Sequence, residues 1–358
     1  MNLIKVKFPK LYWVISAILV ITGIMMIFIG TIRAKADREK HLISQIESFE
    51  HISDLDIHLT EGDIYLQKGE KDSVCTVELV NVSDSVEVYS ENEILYIKDD
   101  SSFNLQFFNF GFFDFFDFVT SQIKITLPEQ EYQQVMIKLN IGNCYISDLQ
   151  CDIFDFIFDV GDCKIDNLQV QNDCNINSGT GSIQLQDSHA GKTNLKCDIG
   201  DCNLENFETE YLEIQSGTGE VRLKQITTQN YFSVDSSIGD VYAENLTCSG
   251  NTRLEVNTGD CNIQNSNFSG DVTGSFNIGD VEFNHIKLEG NLDLTGDTGD
   301  ITVQIIDNPD NYGLNCETGV GDIYLNHVKT KQLATSQNAK YQIAIQNDLG
   351  DIEVNFSE

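Results

Sequence analysis

The chain has 358 residues, with 22 Lys and Arg against 56 Asp and Glu, a formal net charge of −34. So much negative charge repels phosphates, which excludes nucleic acid as a partner and points instead to cations, basic proteins or repulsion from neighbours. The charge is also uneven. Residues 1–40 hold seven Lys and Arg against Asp37 and Glu39, so everything after them carries a net of −39.

Residues 1–10 form a basic N-terminal tail containing Lys5, Lys7 and Lys10. Residues 11–32, LYWVISAILVITGIMMIFIGTI, contain no charge, and such a run is long enough to cross a hydrocarbon core of about 30 Å as a helix. Tyr12 and Trp13 suit the interface, and basic residues flank both ends. The competing reading is a cleaved signal peptide, because Ala34-Lys35-Ala36 resembles a small-residue cleavage site. A signal peptide, however, has a shorter apolar run of about 7–15 residues. The expectation is therefore an uncleaved single-pass transmembrane helix. Its orientation is not decided by charge, since basic residues are nearly balanced across it. Residues 33–50 place Ala34, Ala36, Leu42, Ile43, Ile46 and Phe49 among charges, which reads as a short juxtamembrane helix or stalk.

Residues 51–139 read as a β-rich capping region. Leu55-Asp56-Ile57-His58-Leu59 alternates, and Cys75–Val80, Val86–Tyr89, Ile94–Ile97 and Ile123–Leu127 are strand-like. Within it lies a Phe-rich loop, residues 103–118, with nine Phe in sixteen positions. Either it folds over the first rung of the repeats beginning at residue 140, or it presents Phe107, Phe108, Phe112, Phe113, Phe115 and Phe116 to a lipid headgroup region or a partner.

From residue 140 to 358 a Gly-Asp step returns every 19 or 20 residues, from Gly142 to Gly299, and then at Gly321 and Gly350. After each step come apolar residues at alternate positions, as in Asp201-Cys202-Asn203-Leu204. A further apolar residue comes three positions later, as at Leu168, Phe207, Ile226, Leu246, Phe268 and Ile286. A second alternating pair closes the unit, such as Leu212 and Ile214 or Leu254 and Val256. Period-two alternation marks half-buried strands, and self-similarity at this period marks stacked units. The fold class is therefore all-β: a single-stranded parallel β-solenoid with about 20 residues per turn, behind an N-terminal transmembrane helix. Each corner glycine is expected at positive φ, with the adjacent Asp accepting backbone N–H groups. The residue before the glycine alternates, Ile199, Thr218, Ile238, Thr258, Ile278, Thr298, which fits in-register stacking. About eleven rungs at roughly 4.8 Å make a rod on the order of 50 Å long.

The repeats also organise the candidate chemistry. Cys144, Cys163, Cys202 and Cys261 occupy the slot that Ile183, Val221, Val241 and Val281 fill in other rungs, so they read as small core hydrophobes. Cys151 and Cys248 are the better candidates for reactive thiols. Asp201, Asp240, Asp260, Asp280 and Asp300 should form a carboxylate ladder whose mutual repulsion favours weak Ca²⁺ binding, although turn capping accounts for the same residues. No EF-hand or nine-residue calcium repeat occurs. The scattered histidines form no H-E-x-x-H, there is no G-x-S-x-G, and no catalytic residue or cofactor is expected.

The membrane anchor, the early turn Glu61-Gly62-Asp63-Ile64, the strand Ile123-Lys124-Ile125-Thr126-Leu127-Pro128 and the ordered Gly-Asp turns together resemble the bacterial putative-adhesin family of β-strand-repeat proteins, over about residues 50–358. Some members are membrane-anchored accessory proteins of Lia-type envelope-stress operons. The resemblance implies a β-solenoid at the cell envelope, with its acidic body outside the membrane, and brings no catalytic residues. Three function classes are open: a non-catalytic binding, adhesion or scaffold rod; an accessory subunit of an envelope-stress sensor with another membrane or envelope protein as partner; and a carbohydrate-active β-helix enzyme, which the spread of acids disfavours.

Overall fold

The computed structural model describes residues 19–23, 25–26, 41–70, 73–99, 121–330, 333–334 and 339–357. Residues 19–23 and 25–26 are helical. Among the described residues no helix is long and apolar enough to cross a membrane; the span expected at 11–32 lies largely outside them, and the Phe-rich loop 103–118 lies wholly outside. The remainder is β. The first strands are β1 (Leu42–Phe49), β2 (Asp54–Glu61), β3 (Asp63–Lys68), β4 (Cys75–Ser83), β5 (Val86–Glu91), β6 (Ile94–Asp99), β7 (Gln122–Leu127) and β8 (Tyr132–Ile141). Five long strands come next: β9 (Cys144–Val160), β10 (Cys163–Thr180), β11 (Ile183–Ile199), β12 (Cys202–Thr218) and β13 (Val221–Ile238).

The expected stalk is in part a strand. Residues 42–49 form β1, which pairs antiparallel with β4, and Ile43 and Phe49 rest against the core. Burying those two side chains on a sheet edge outweighs whatever helical amphipathicity the segment has.

β9 to β13 stack in parallel and in register, each residue on the one that is one rung away: Cys144 on Cys163, Cys163 on Ile183, Ile183 on Cys202, Cys202 on Val221. The same columns continue through Val241, Cys261, Val281 and Ile301. All of these point inward and are buried, as are Leu212, Ile214, Leu254 and Val256. Ser188 and Ser266, by contrast, take the inward place held by Leu168 and Leu246 in adjacent rungs, and their hydroxyls accept the N–H of Leu168 and Leu246. Phe268 sits one inward slot further along, stacked on Cys248 and Leu288.

Twelve corner glycines, from Gly62 to Gly350, all have φ between +132° and +157°. Their stacking is as decisive as their φ. A Cβ on Gly161 would lie 1.9 Å from the carbonyl oxygen of Gly142, so only glycine lets consecutive rungs approach. A second corner lies six residues on, at Asp148, Asn167, Asp187, Asn206, Gln225, Asn245, Asn265 and His285, with φ between +50° and +59°. All but Gln225 are residue types that tolerate the left-handed region. In the rung from Cys261 to Ile278 the three straight runs between corners separate into three strands, 261–264, 267–268 and 272–278. The residues before each glycine stack in register but point outward, Ile199, Ile238 and Ile278 being more than half exposed.

The ends depart from a simple coil. The first rung in sequence, β2 and β3, lies between β8–β9 on one side and β6–β7 on the other. The outermost strands of the stack at this end are therefore β6 and β7, covered by β5 and β4 in antiparallel pairing. At the far end the last residues, 341–357, lie between 292–306 and 312–325, so the chain's final segment is not its final rung. Short antiparallel partners at 328–330 and 333–334 cover that end.

Candidate functional site

Along the glycine edge the expected carboxylate ladder forms. Asp240, Asp260, Asp280 and Asp300 lie on successive rungs, and Asp201 is separated from Asp240 by Glu220. One oxygen of each is already committed: the N–H of Asp260 donates to Asp240 Oδ1 at 2.8 Å, that of Asp280 to Asp260 at 2.9 Å, that of Asp300 to Asp280 at 2.8 Å and that of Glu220 to Asp201 at 3.0 Å. The row thus closes one turn onto the next. Among the described residues no group of three or more His, Cys, Asp or Glu side chains is arranged to hold a metal ion. The six phenylalanines from Phe107 to Phe116 lie outside the described residues.

All ten cysteines are free and buried. Cys151 and Cys248, expected as the reactive pair, are core side chains with 0 % and 1 % exposure. Burial pushes their thiols up to about 12 and about 11, which opposes thiolate formation. Their place one slot beyond the second corner, an inward slot also held by Val170 and Leu288, accounts for this.

Two grooves mark the outer faces. One, of about 470 Å³, runs over Gln184, Asn203, Arg222 and Tyr242. Its cations are neutralised in place: Arg222 meets Glu220 and Asp201, and Lys224 lies 2.8 Å from Glu205. The other, of about 550 Å³, crosses the face formed by the second half of each rung, from Met136 to Gln215.

Two outward rows build this second trough. The inner, half-buried row runs Tyr96, Asp56, Met136, Asp155, Asn175, Asn194 on successive strands. Its polar members hold one another: Asn194 donates to Asn175 Oδ1 at 2.8 Å, and Asn175 to Asp155 Oδ1 at 2.8 Å. The outer row runs Lys98, His58, Lys138, Ile157, Asn177, Lys196, Gln215. Seven consecutive positions without a carboxylate are a departure in a chain with 56 acidic residues. Lys98 lies 3.0 Å from Asp56 and 4.3 Å above the ring of Tyr96, which stacks on Tyr89 at 5.0 Å. His58 Nε2 lies 2.9 Å from Asp56 Oδ1 without the alignment of a hydrogen bond, so the contact acts through charge. Burial lowers the pKa of His58, opposed by Asp56 and assisted by Lys138 and Lys98. Lys138 makes no ion pair among the described residues. Folding the sequence at its glycine period lines up Lys138, Ile157, Asn177, Lys196 and Gln215, while Lys98 and His58 join the row only through the out-of-order first rungs.

Among curated proteins none matches the chain. Solved structures of similar proteins include a putative adhesin from Bacteroides fragilis NCTC 9343, 15% identical over 88% of this chain and 96% of that one, with a TM-score of 0.33. Another putative adhesin, from Parabacteroides distasonis ATCC 8503, is 14% identical over 88% and 97%, with a TM-score of 0.40. A third, from the same organism, is titled a putative lipid binding protein and is 10% identical over 88% and 96%, with a TM-score of 0.25. The sequence pattern of one family matches twice, over residues 52–247 and 230–355, and so spans nearly all of the β region. The chain belongs to the Toastrack DUF4097 family.

Proposed function

We propose that this protein is a non-catalytic binding rod, held at the cell membrane through residues 11–32 with its acidic solenoid outside, and that the trough from Tyr96 to Gln215 is its contact surface. The observation that carries this reading is the coupling of the inner row. Asn194, Asn175 and Asp155 are locked to one another, which gives a fixed surface suited to recognition, while a reacting group would need freedom to exchange protons. Rigid β rungs hold the rows in place without an ordering cost on binding. A photo-crosslinking residue placed at Asn177 or Gln215 in intact cells should capture a partner, whereas one at Lys287, on another face, should not. Protease added to intact cells should remove the solenoid and leave the anchor. Equal capture from both faces, or full protection from protease, would remove the reading.

A further inference from the structure

We infer that the outward row just before the corner glycines, from Ile141 to Val320, is a docking edge for a basic amphipathic helix of a partner protein, whose apolar face lies on the aliphatic side chains and whose Lys and Arg meet the carboxylates alongside. None of these side chains lines the trough, so the edge stands independently of it. Val160, Ile199, Ile238, Ile278, Leu349 and Val320 are between 47 % and 66 % exposed and fall on one line down the stack. Single exposed aliphatic residues need no explanation, but an in-register line of them over ten strand spacings, about 50 Å, is apolar surface of the kind that marks an interaction site. The strand end needs at most a β-branched residue, since Thr218, Thr258 and Thr298 hold the same place, so isoleucine in the alternate rungs is surplus to folding. Spacing selects a helix. Ile199, Ile238 and Ile278 stand two rungs apart with Thr218 and Thr258 between them, which sets them at intervals of about 10 Å. Residues seven apart on a helix repeat every ~10.5 Å, whereas same-face residues of an extended strand repeat every ~6.7 Å and fall out of step. Charge selects a basic one. The position after the glycine is Asp in six successive layers, Asp240, Asp260, Asp280, Asp300, Asp351 and Asp322. Oδ1 of Asp260, Asp280, Asp300 and Asp351 accepts the N–H of the next layer, and Oδ2 of these four has neither a hydrogen bond nor an ion pair among the described residues. Asp297 and Asp348 add exposed carboxylates without an ion pair on the other flank. A second copy would bring the same carboxylates against these, and an anionic lipid surface would bring phosphates, so both are repelled where a helix bearing Lys and Arg is drawn in.

The full-length chain in phosphatidylcholine nanodiscs is the form to test, with empty discs as reference and a chelator present so that no divalent ion occupies the carboxylates. Three fluorescent peptides of about 20 residues, ~30 Å as a helix, serve as probes: a Leu/Lys helix with Leu at heptad spacing, a scramble of the same composition, and the same helix with Glu in place of Lys. The Leu/Lys helix should bind, the scramble at least about tenfold more weakly and the Glu peptide not at all, and binding should weaken about tenfold or more between about 0.05 and 0.5 M NaCl. Ile238→Ser with Ile278→Ser, which leaves the core intact, should lower affinity at least about tenfold, and so should Asp260→Asn with Asp280→Asn, which keeps the turn hydrogen bonds. Glu208→Gln with Glu210→Gln, the same change in charge on another face, and Ile157→Ser in the trough should leave it unchanged. Circular dichroism of each variant keeps loss of fold apart from loss of binding. No binding of the Leu/Lys helix, equal binding of the scramble, equal effects of the two acidic double variants, or loss of binding on Ile157→Ser would each overturn the inference. Association of two discs that Ile238→Ser abolishes would make a second copy the occupant and overturn it as well. Crosslinking from Asn177 and Gln215 reports on the trough separately, so failure of one surface is distinguishable from failure of the other.

Discussion

A methyl group on Gly200 would sit 2.3 Å from the carbonyl oxygen of Gly181, on a backbone with φ of +141°. Two penalties combine there, the sparsely populated backbone region and the collision, so Gly200→Ala should cost about 3 kcal/mol or more, read as a shift in urea midpoint. The neighbouring carboxylates behave differently. Asp260→Asn keeps an oxygen to accept the N–H of Asp280 and should be nearly neutral, while Asp260→Ala loses it and should cost about 1 kcal/mol. We propose that the second oxygens of the ladder collect Ca²⁺ weakly. A rise in Tm with millimolar Ca²⁺ that Asp260→Asn and Asp280→Asn abolish is the expected outcome, and no rise would leave turn closure as the ladder's role. His58 carries a pH dependence of known sign. Its pKa is lowered in the folded protein, so the unfolded chain binds more protons as pH falls below about 6.5, the ordinary histidine value, and stability declines there. His58→Gln should flatten the slope of Tm against pH between about 6.5 and 5.

At the scale of strands and rungs, what was legible in the sequence is what repeats. Inward columns such as Cys202, Val221 and Val241 come from alternation, and the glycine corners from their period. The second corner could also have been read, because Asp148, Asn167, Asp187 and Asn206 stand at a constant offset from the glycines and are types that accept positive φ. Three features were hidden for physical reasons. The trough is defined across rungs, so its row joins residues such as His58 and Lys138 that lie far apart in the chain. β1 owes its conformation to β4, whose paired residues lie 26 to 41 positions later. The burial of Cys151 and Cys248 depends on which side of the second corner faces in. One consequence is direct: native protein should react with none of its ten thiols toward a soluble disulfide reagent, and all ten should react after unfolding.

For the whole molecule, rungs are exchangeable in the middle and singular at the ends. Deleting residues 241–260 removes one complete lap between in-register neighbours, 221–238 and 261–278, so the shortened protein should fold and melt within a few degrees of the parent, roughly as expected when nearest-neighbour terms dominate. Ending the chain at residue 334 removes a similar length but takes away the segment between 292–306 and 312–325. Hydrogen exchange should then show lost protection in both of those stretches, whereas a stack in simple order would lose protection in only one. That arrangement also sets a schedule for biosynthesis. The tail that leaves the ribosome last must slip between two layers made before it, so the finished shape waits on the final amino acids, and a polypeptide clipped near its terminus would leave an open rim that another molecule's strand could occupy.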